Sequence, residues 1–279
     1  MTIGIGVLCS SKPRPHQIRP DSFILVADTM GSTETDSTEQ LHKLVIEENL
    51  YMACAGDMAL CSDVGSIIKQ NLGAVPKRTH GNIWGALNKA VHETLTARFQ
   101  WDVLVPKYMF AQGMVFENQR ENITEEWQRY NPNLEMLIGT FHESGVALLY
   151  LISRNYNGSA WVHACQYPGH VSIGTGAYNA TFWLNFRGQQ LGLSPKQSAY
   201  HAYEAKGMAA TAPTVNTNVD MVIASADRHY LLASDNPAPT GSPVSLDELR
   251  TMYKKYGPQN TDDLGHKTKE PSTKTSTKK

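Results

Sequence analysis

Cysteine is scarce in this chain: four in 279 residues (Cys9, Cys54, Cys61 and Cys165), with no CxxC pair among them. That spacing excludes a disulfide framework and a zinc ribbon, and the apolar or helical neighbours of each thiol suit a reduced cysteine acting as a small hydrophobe. A reducing cytoplasm is the expected location. Long apolar runs are missing too, since no stretch reaches the roughly 18 residues that a membrane helix requires. The N-terminus has no basic segment followed by an apolar core, so no secretory leader is expected. Charge of one sign is absent: 25 basic against 26 acidic residues leave a net charge of −1. Without a basic surplus there is no electrostatic footprint for nucleic acid or for an anionic membrane, and neither is expected as a partner.

Cofactor and metal patterns are equally thin. His163, Cys165 and His170 lie close in sequence, but their spacing matches no standard zinc site. "GTGAYNA" follows a strand-like run yet lacks the third glycine of a dinucleotide loop, and Ser10 and Ser11 lie outside any GxSxG. No cofactor is expected.

What is present is a regular succession of elements. "TIGIGVLC" and "FILVAD" read as two strands joined by a long proline-rich loop, and "KLVIEENLYMACAG" as two more across a Glu-Asn turn. Leu60, Val64, Ile67, Ile68 and Leu72, then Ile83, Leu87, Val91, Leu95 and Phe99, recur at helical intervals and predict a helix pair. Residues 105–133 show no clean period apart from a short helix in "ITEEWQRY" and read as an insertion, like the loop near 10–22. "LEMLIGTF", "VALLYLI", "AWVHACQY" and "HVSIGTG" predict a meander of strands. Two further helices follow, the second opening on a capping box at Ser194, Pro195 and Gln197. "VDMVIAS" and "HYLLAS" close as paired strands. Beyond residue 234 the sequence predicts an extension with one helix from Ser245 to Tyr256, capped through Glu248, and a disordered Lys/Thr-rich tail. The order of strands, two helices, strands, two helices, strands suggests two sheets stacked between helical layers.

In this order, "TIGIGV", "FILVADTMGSTE", "LHKLVIEENLYMACAGD" and "VSIGTGAYNATFWL" resemble successive signatures of the proteasome β-subunit family, including the simple bacterial subunits. The resemblance covers residues 2 to about 234. It implies an α+β fold, a four-layer αββα sandwich of two mainly antiparallel sheets flanked by helix pairs. It also implies an N-terminal-nucleophile hydrolase that cuts peptide bonds.

On this resemblance the nucleophile is Thr2, exposed once Met1 is removed. A threonine hydroxyl is a weak nucleophile and needs an adjacent base. A free α-amine of pKa about 7.7–8.0 supplies one at neutral pH. Lys43 in "LHKLV" matches the family lysine beside the threonine, and Asp28 in "LVADT" the aspartate that holds it. Gly56 in "ACAGD" matches the glycine whose N–H serves as oxyanion donor. Thr175 in "IGTG" takes the place of a serine that hydrogen-bonds the amine. The resemblance further implies homo-oligomeric rings, a peptide or unfolded protein as substrate and an ATP-dependent unfoldase as partner.

One segment departs from the family pattern. Where active members carry an aspartate, a serine and glycines before the late strand, this chain has Ala212, Val215, Asn216 and Thr217, leaving Thr211 or Thr214 as the nearby hydroxyls and Asp220 as the next carboxylate. Two alternatives therefore stand beside the threonine peptidase. One is a non-catalytic ring subunit, which the departure favours and the Thr2, Asp28, Lys43 set opposes. The other is an amidase for small amides, its site narrowed by the two insertions.

Overall fold

The computed structural model describes residues 3–11, 19–28, 43–105, 120–153, 161–212, 215, 218–233 and 239–258. Among these residues, ten strands form two five-stranded sheets. The first has the order β10-β9-β2-β1-β8 and the second β3-β4-β5-β6-β7, every neighbouring pair antiparallel.

β1 (Ile3–Cys9) explains its own Ile-Gly alternation. Ile3, Ile5, Val7 and Cys9 point to one face, where they pack under two helices. A fully buried isoleucine there contributes about 1.5–3 kcal/mol. Gly4 and Gly6 point the other way, between the sheets, where an added Cβ would come within 2.8 Å of Ile173 and 2.9 Å of Leu149. At Gly4 the neighbouring strand of the same sheet, and at Gly6 the facing sheet, crowds the place of a side chain. β2 (Ser22–Ala27) repeats the division: Ile24 and Val26 face the helices, while Phe23, Leu25 and Ala27 fill the space between the sheets.

The second sheet is β3 (Leu44–Glu47), β4 (Leu50–Gly56), β5 (Leu134–Phe141), β6 (Ala147–Ser153) and β7 (Val162–Ala164). Its outer face carries α1 (Met58–Gly73) and α2 (His80–Phe99), whose buried stripes are the expected ones except Ile67, which is only partly buried. α2 runs on into a π-helical turn, Gln100–Leu104. The short helix expected in the insertion is α3 (Arg120–Arg129), docked by Trp127, whose ring meets Phe99 edge-on at 4.9 Å.

The meander ends one strand early. β8 (His170–Gly174) crosses to the first sheet and pairs with β1. The intervening turn ends at Gly169, with φ +86, whose carbonyl accepts from the Leu8 N–H at 2.7 Å and ties the chain to β1. This also separates His163, on β7, from His170, on β8 of the other sheet.

α4 (Ala177–Phe186) and α5 (Pro195–Ala209) cover the first sheet, and β9 (Asp220–Ser225) and β10 (Arg228–Ala233) complete it. The capping box at Ser194 and Gln197 is formed in both directions. α6 (Leu246–Tyr256) is capped by Ser245, which accepts from the Glu248 N–H at 3.1 Å, but the Glu248 carboxylate pairs with Lys196 instead of returning to Ser245. Val244, Leu246 and Leu249 join the core beneath α5. The Lys/Thr-rich tail lies outside the described residues. The whole is an αββα sandwich with three apolar layers: between the sheets, under α1/α2, and under α4/α5/α6.

Candidate active site

Five chain segments meet at one end of the sandwich: the start of β1, the end of β2, the start of β3, and the ends of β4 and β8. The topology forces this, because antiparallel neighbours bring starts and ends to the same edge.

Asp28 directly follows β2, and its N–H donates to the Ile3 carbonyl at 3.3 Å. Lys43 directly precedes β3, and its carbonyl accepts from the Cys54 N–H at 3.1 Å. Across this gap Lys43 Nζ donates to Asp28 Oδ1 at 2.9 Å, with Asp28 fully buried and Lys43 3 % exposed. Asp28 Oδ2 is buried and has no hydrogen-bond partner among the described residues. Two opposite charges removed from water in this way need each other; either alone is strongly unfavourable.

Gly56 ends β4 with φ +93, and a Cβ there would lie 1.9 Å from the Asn133 carbonyl oxygen. Only glycine fits. The next residue, Asp57, caps α1 by accepting from the Ala59 and Leu60 N–H groups. Thr175 is exposed at the end of β8, one residue past Gly174, which pairs with Ile3. Thr2 lies outside the described residues, one residue before Ile3. The structure thus brings Asp28 and Lys43 into contact and puts Gly56 and Thr175 at the same end.

Two further residues were not singled out from the sequence. Glu135, on β5 opposite Ala55, accepts from the Gly174 N–H at 2.7 Å and bridges the sheets beside the site. Its signal was a lone carboxylate in the apolar run "LEMLIGTF". Lys206, on α5, is only 1 % exposed. Burial pushes its ammonium down to about 8; the Asp28 carboxylate opposes that shift, and Lys43 adds to it. The signal here was helical spacing: Lys206 sits between Ala202, Ala205 and Ala209, all on the buried face.

The late loop carries no acidic or hydroxyl group at the two substituted positions. Val215 is buried in the layer under α4 and α5, with Ala212 packed against that layer. Thr211 spends its hydroxyl on the end of α5, donating to the Met208 carbonyl at 2.7 Å and accepting from Asn179. Thr214 lies outside the described residues. Asp220 is buried at the start of β9, opposite Ala27.

Beside Gly56 a cavity of about 370 Å³ opens between β4 and α1, lined by Met52, Cys54, Met58 and Cys61, with the Glu47–Lys69 ion pair also contributing. Its wall is mostly apolar and sulfur-bearing. Among the described residues no three His, Cys, Asp or Glu side chains gather to hold a metal, and no helix is long and apolar enough to cross a membrane.

The overall fold has counterparts among solved structures. The Anbu (Gly-1) mutant from Hyphomicrobium sp. strain MC1 superposes with a TM-score of 0.60 at 14% identity, covering 95% of this chain and 95% of that one. Anbu (ancestral beta-subunit) from Yersinia bercovieri gives 0.60 at 13% identity, covering 91% and 93%.

The chain has the Anbu fold.

No protein-family model matches the sequence, and no curated protein does. The likeness to Anbu is therefore one of architecture, spread over nearly the full length of both chains. It agrees with the sandwich that the sequence resemblance implied.

Proposed function

We propose that this chain is a proteasome-like threonine peptidase. The observation that carries the reading is the buried Lys43–Asp28 pair at 2.9 Å, whose carboxylate residue hydrogen-bonds through its backbone to Ile3, the residue after Thr2.

In this reading Thr2, freed by loss of Met1, attacks a peptide carbonyl through Oγ while its own α-amine takes the hydroxyl proton. The Lys43 ammonium lowers the hydroxyl pKa, and Asp28 holds that ammonium in place. The Gly56 N–H donates to the oxyanion, and Thr175 orients the amine. The amine returns the proton to the leaving amide nitrogen, leaving an acyl ester on Thr2. Water then attacks the ester by the same route. The cavity lined by Met52, Cys54, Met58 and Cys61 suits an apolar substrate side chain next to the cleaved bond.

Assembly into rings is part of the proposal, with a second copy of this chain as the neighbour. Tyr178, Phe182 and Phe186 recur every fourth residue along α4 and are 82%, 59% and 62% exposed. Such an aromatic stripe is the kind of surface that association covers. A cytoplasmic location and an ATP-dependent unfoldase partner fit an enclosed peptidase of this type.

A second reading, a ring subunit without turnover, is favoured by Ala212 and Val215, which offer no orienting carboxylate or hydroxyl. One experiment separates the two. Intact mass is recorded before and after exposure to a peptide epoxyketone, which forms its ring adduct only with a free N-terminal amine and adjacent hydroxyl. Loss of Met1 and one adduct, absent from Thr2→Ala, support the peptidase. Retained Met1, or a free but unreactive Thr2, supports the scaffold.

A further inference from the structure

Lys206 has no role in the mechanism above, yet with Asp28, Lys43 and Asp220 it is one of the charged side chains buried at this edge. Along β2 the helix-facing row is Ile24, Val26 and, next in alternation, Asp28. α5 lies on that row through Ala202, Ala205 and Ala209, whose small side chains leave room for one long stem. Ala209, one turn beyond Lys206, is packed so closely against Gly176, the residue after Thr175, that a Cβ on Gly176 would meet it at 2.8 Å. Lys206 therefore occupies the helix–sheet layer at the end where Ile3, Asp28 and Thr175 lie. Asp28 and Lys43 are among the charges that act on it.

A buried ammonium is costly unless an opposite charge or hydrogen-bond acceptors compensate it. Asp28 supplies an opposite charge. Lys43 engages only Oδ1, and Oδ2 is buried with no hydrogen-bond partner among the described residues. We propose that Lys206 is a positioning residue of the active site, a second buried cation whose charge holds the Asp28 carboxylate aimed at Lys43. It acts through its field on Asp28 and touches neither substrate nor nucleophile. Its catalytic part rests on the peptidase reading; the electrostatic coupling to Asp28 does not.

The test has two arms. In the first, Lys206→Met, Asp28→Asn and the double variant are unfolded in urea, and Lys206→Gln replaces Lys206→Met if the latter does not fold. Coupling predicts that Asp28→Asn shifts the midpoint less when Lys206 is already neutral. Additive shifts overturn the proposal, whether or not Thr2 is reactive. In the second, epoxyketone labelling is followed by intact mass as a function of reagent concentration. The maximal labelling rate of folded Lys206→Met should fall at least tenfold with the half-saturating concentration unchanged, and Lys206→Arg should recover most of it. An unchanged maximal rate, or equal loss in the Arg variant, overturns the positioning role. If the parent protein itself is not labelled, the peptidase reading and the catalytic part fail together, while the first arm still decides the coupling.

Discussion

Replacing Asp28 with asparagine keeps the side-chain shape and removes the negative charge that pairs with Lys43. Lys43, 3 % exposed, is then stranded in a dry region that also holds Lys206, 1 % exposed. Breaking a buried pair from one side costs about 3–5 kcal/mol, and the second cation pushes toward the upper end. For a chain of this size that is a fall in Tm on the order of 10 °C. The measurement is urea unfolding at fixed protein concentration, because any assembly makes the midpoint concentration-dependent. Adding Lys43→Met to Asp28→Asn should recover part of the loss, since the stranded ammonium is then gone. An internal control is Lys89–Glu93, at 3.8 Å with side chains 64% and 50% exposed; Lys89→Ala should cost less than about 1 kcal/mol. If Asp28→Asn costs no more than that surface control, the reasoning that the pair is a desolvated, mutually dependent unit is wrong.

Gly56→Ala sets a side chain at φ +93 and 1.9 Å from a backbone oxygen. It should cost about 2–4 kcal/mol by denaturant unfolding and abolish epoxyketone labelling, and an unaffected variant would show that the turn is not constrained as described. Phe182→Glu on the exposed stripe of α4 should lower the native mass measured by light scattering while leaving the circular dichroism unchanged; an unchanged mass removes α4 from the interface. The pH dependence of stability follows from Lys206. Its native ammonium loses its proton near about 8 and the unfolded one near 10.5. Between these values the unfolded chain binds more protons, so stability rises with pH across that window, by about 3 kcal/mol in total. The rise should be absent from Lys206→Met and so appear in the parent-minus-variant difference; a falling or flat difference contradicts the burial assigned to this lysine.

Much of the architecture was legible in local pattern. Period-two apolar runs marked the strands, helical intervals marked α1, α2, α4 and α5, and Ser194-Pro195-x-Gln197 announced the start of α5. Asp28 and Lys43 were legible as a charged residue ending an apolar run and a lysine opening one. Their contact was implied only by resemblance, because 15 residues of chain separate them and no local rule says that they meet. The sequence suggested β8 as the last strand of a meander, but strand pairing is a long-range choice, and the turn at Gly169 hands β8 to β1. The Glu248 capping box failed for a related reason: Lys196, 52 residues away, competes for the same carboxylate.

By itself the sequence determined which segments are strands and helices and which ionisable residues interrupt apolar runs, because each of these is set by neighbours one to four positions away. The tertiary structure alone decided that Asp28, Lys43, Lys206 and Asp220 are buried at one edge. Burial and charge pairing depend on which surfaces are removed from water together, and that is fixed only when the sheets and helices close on one another.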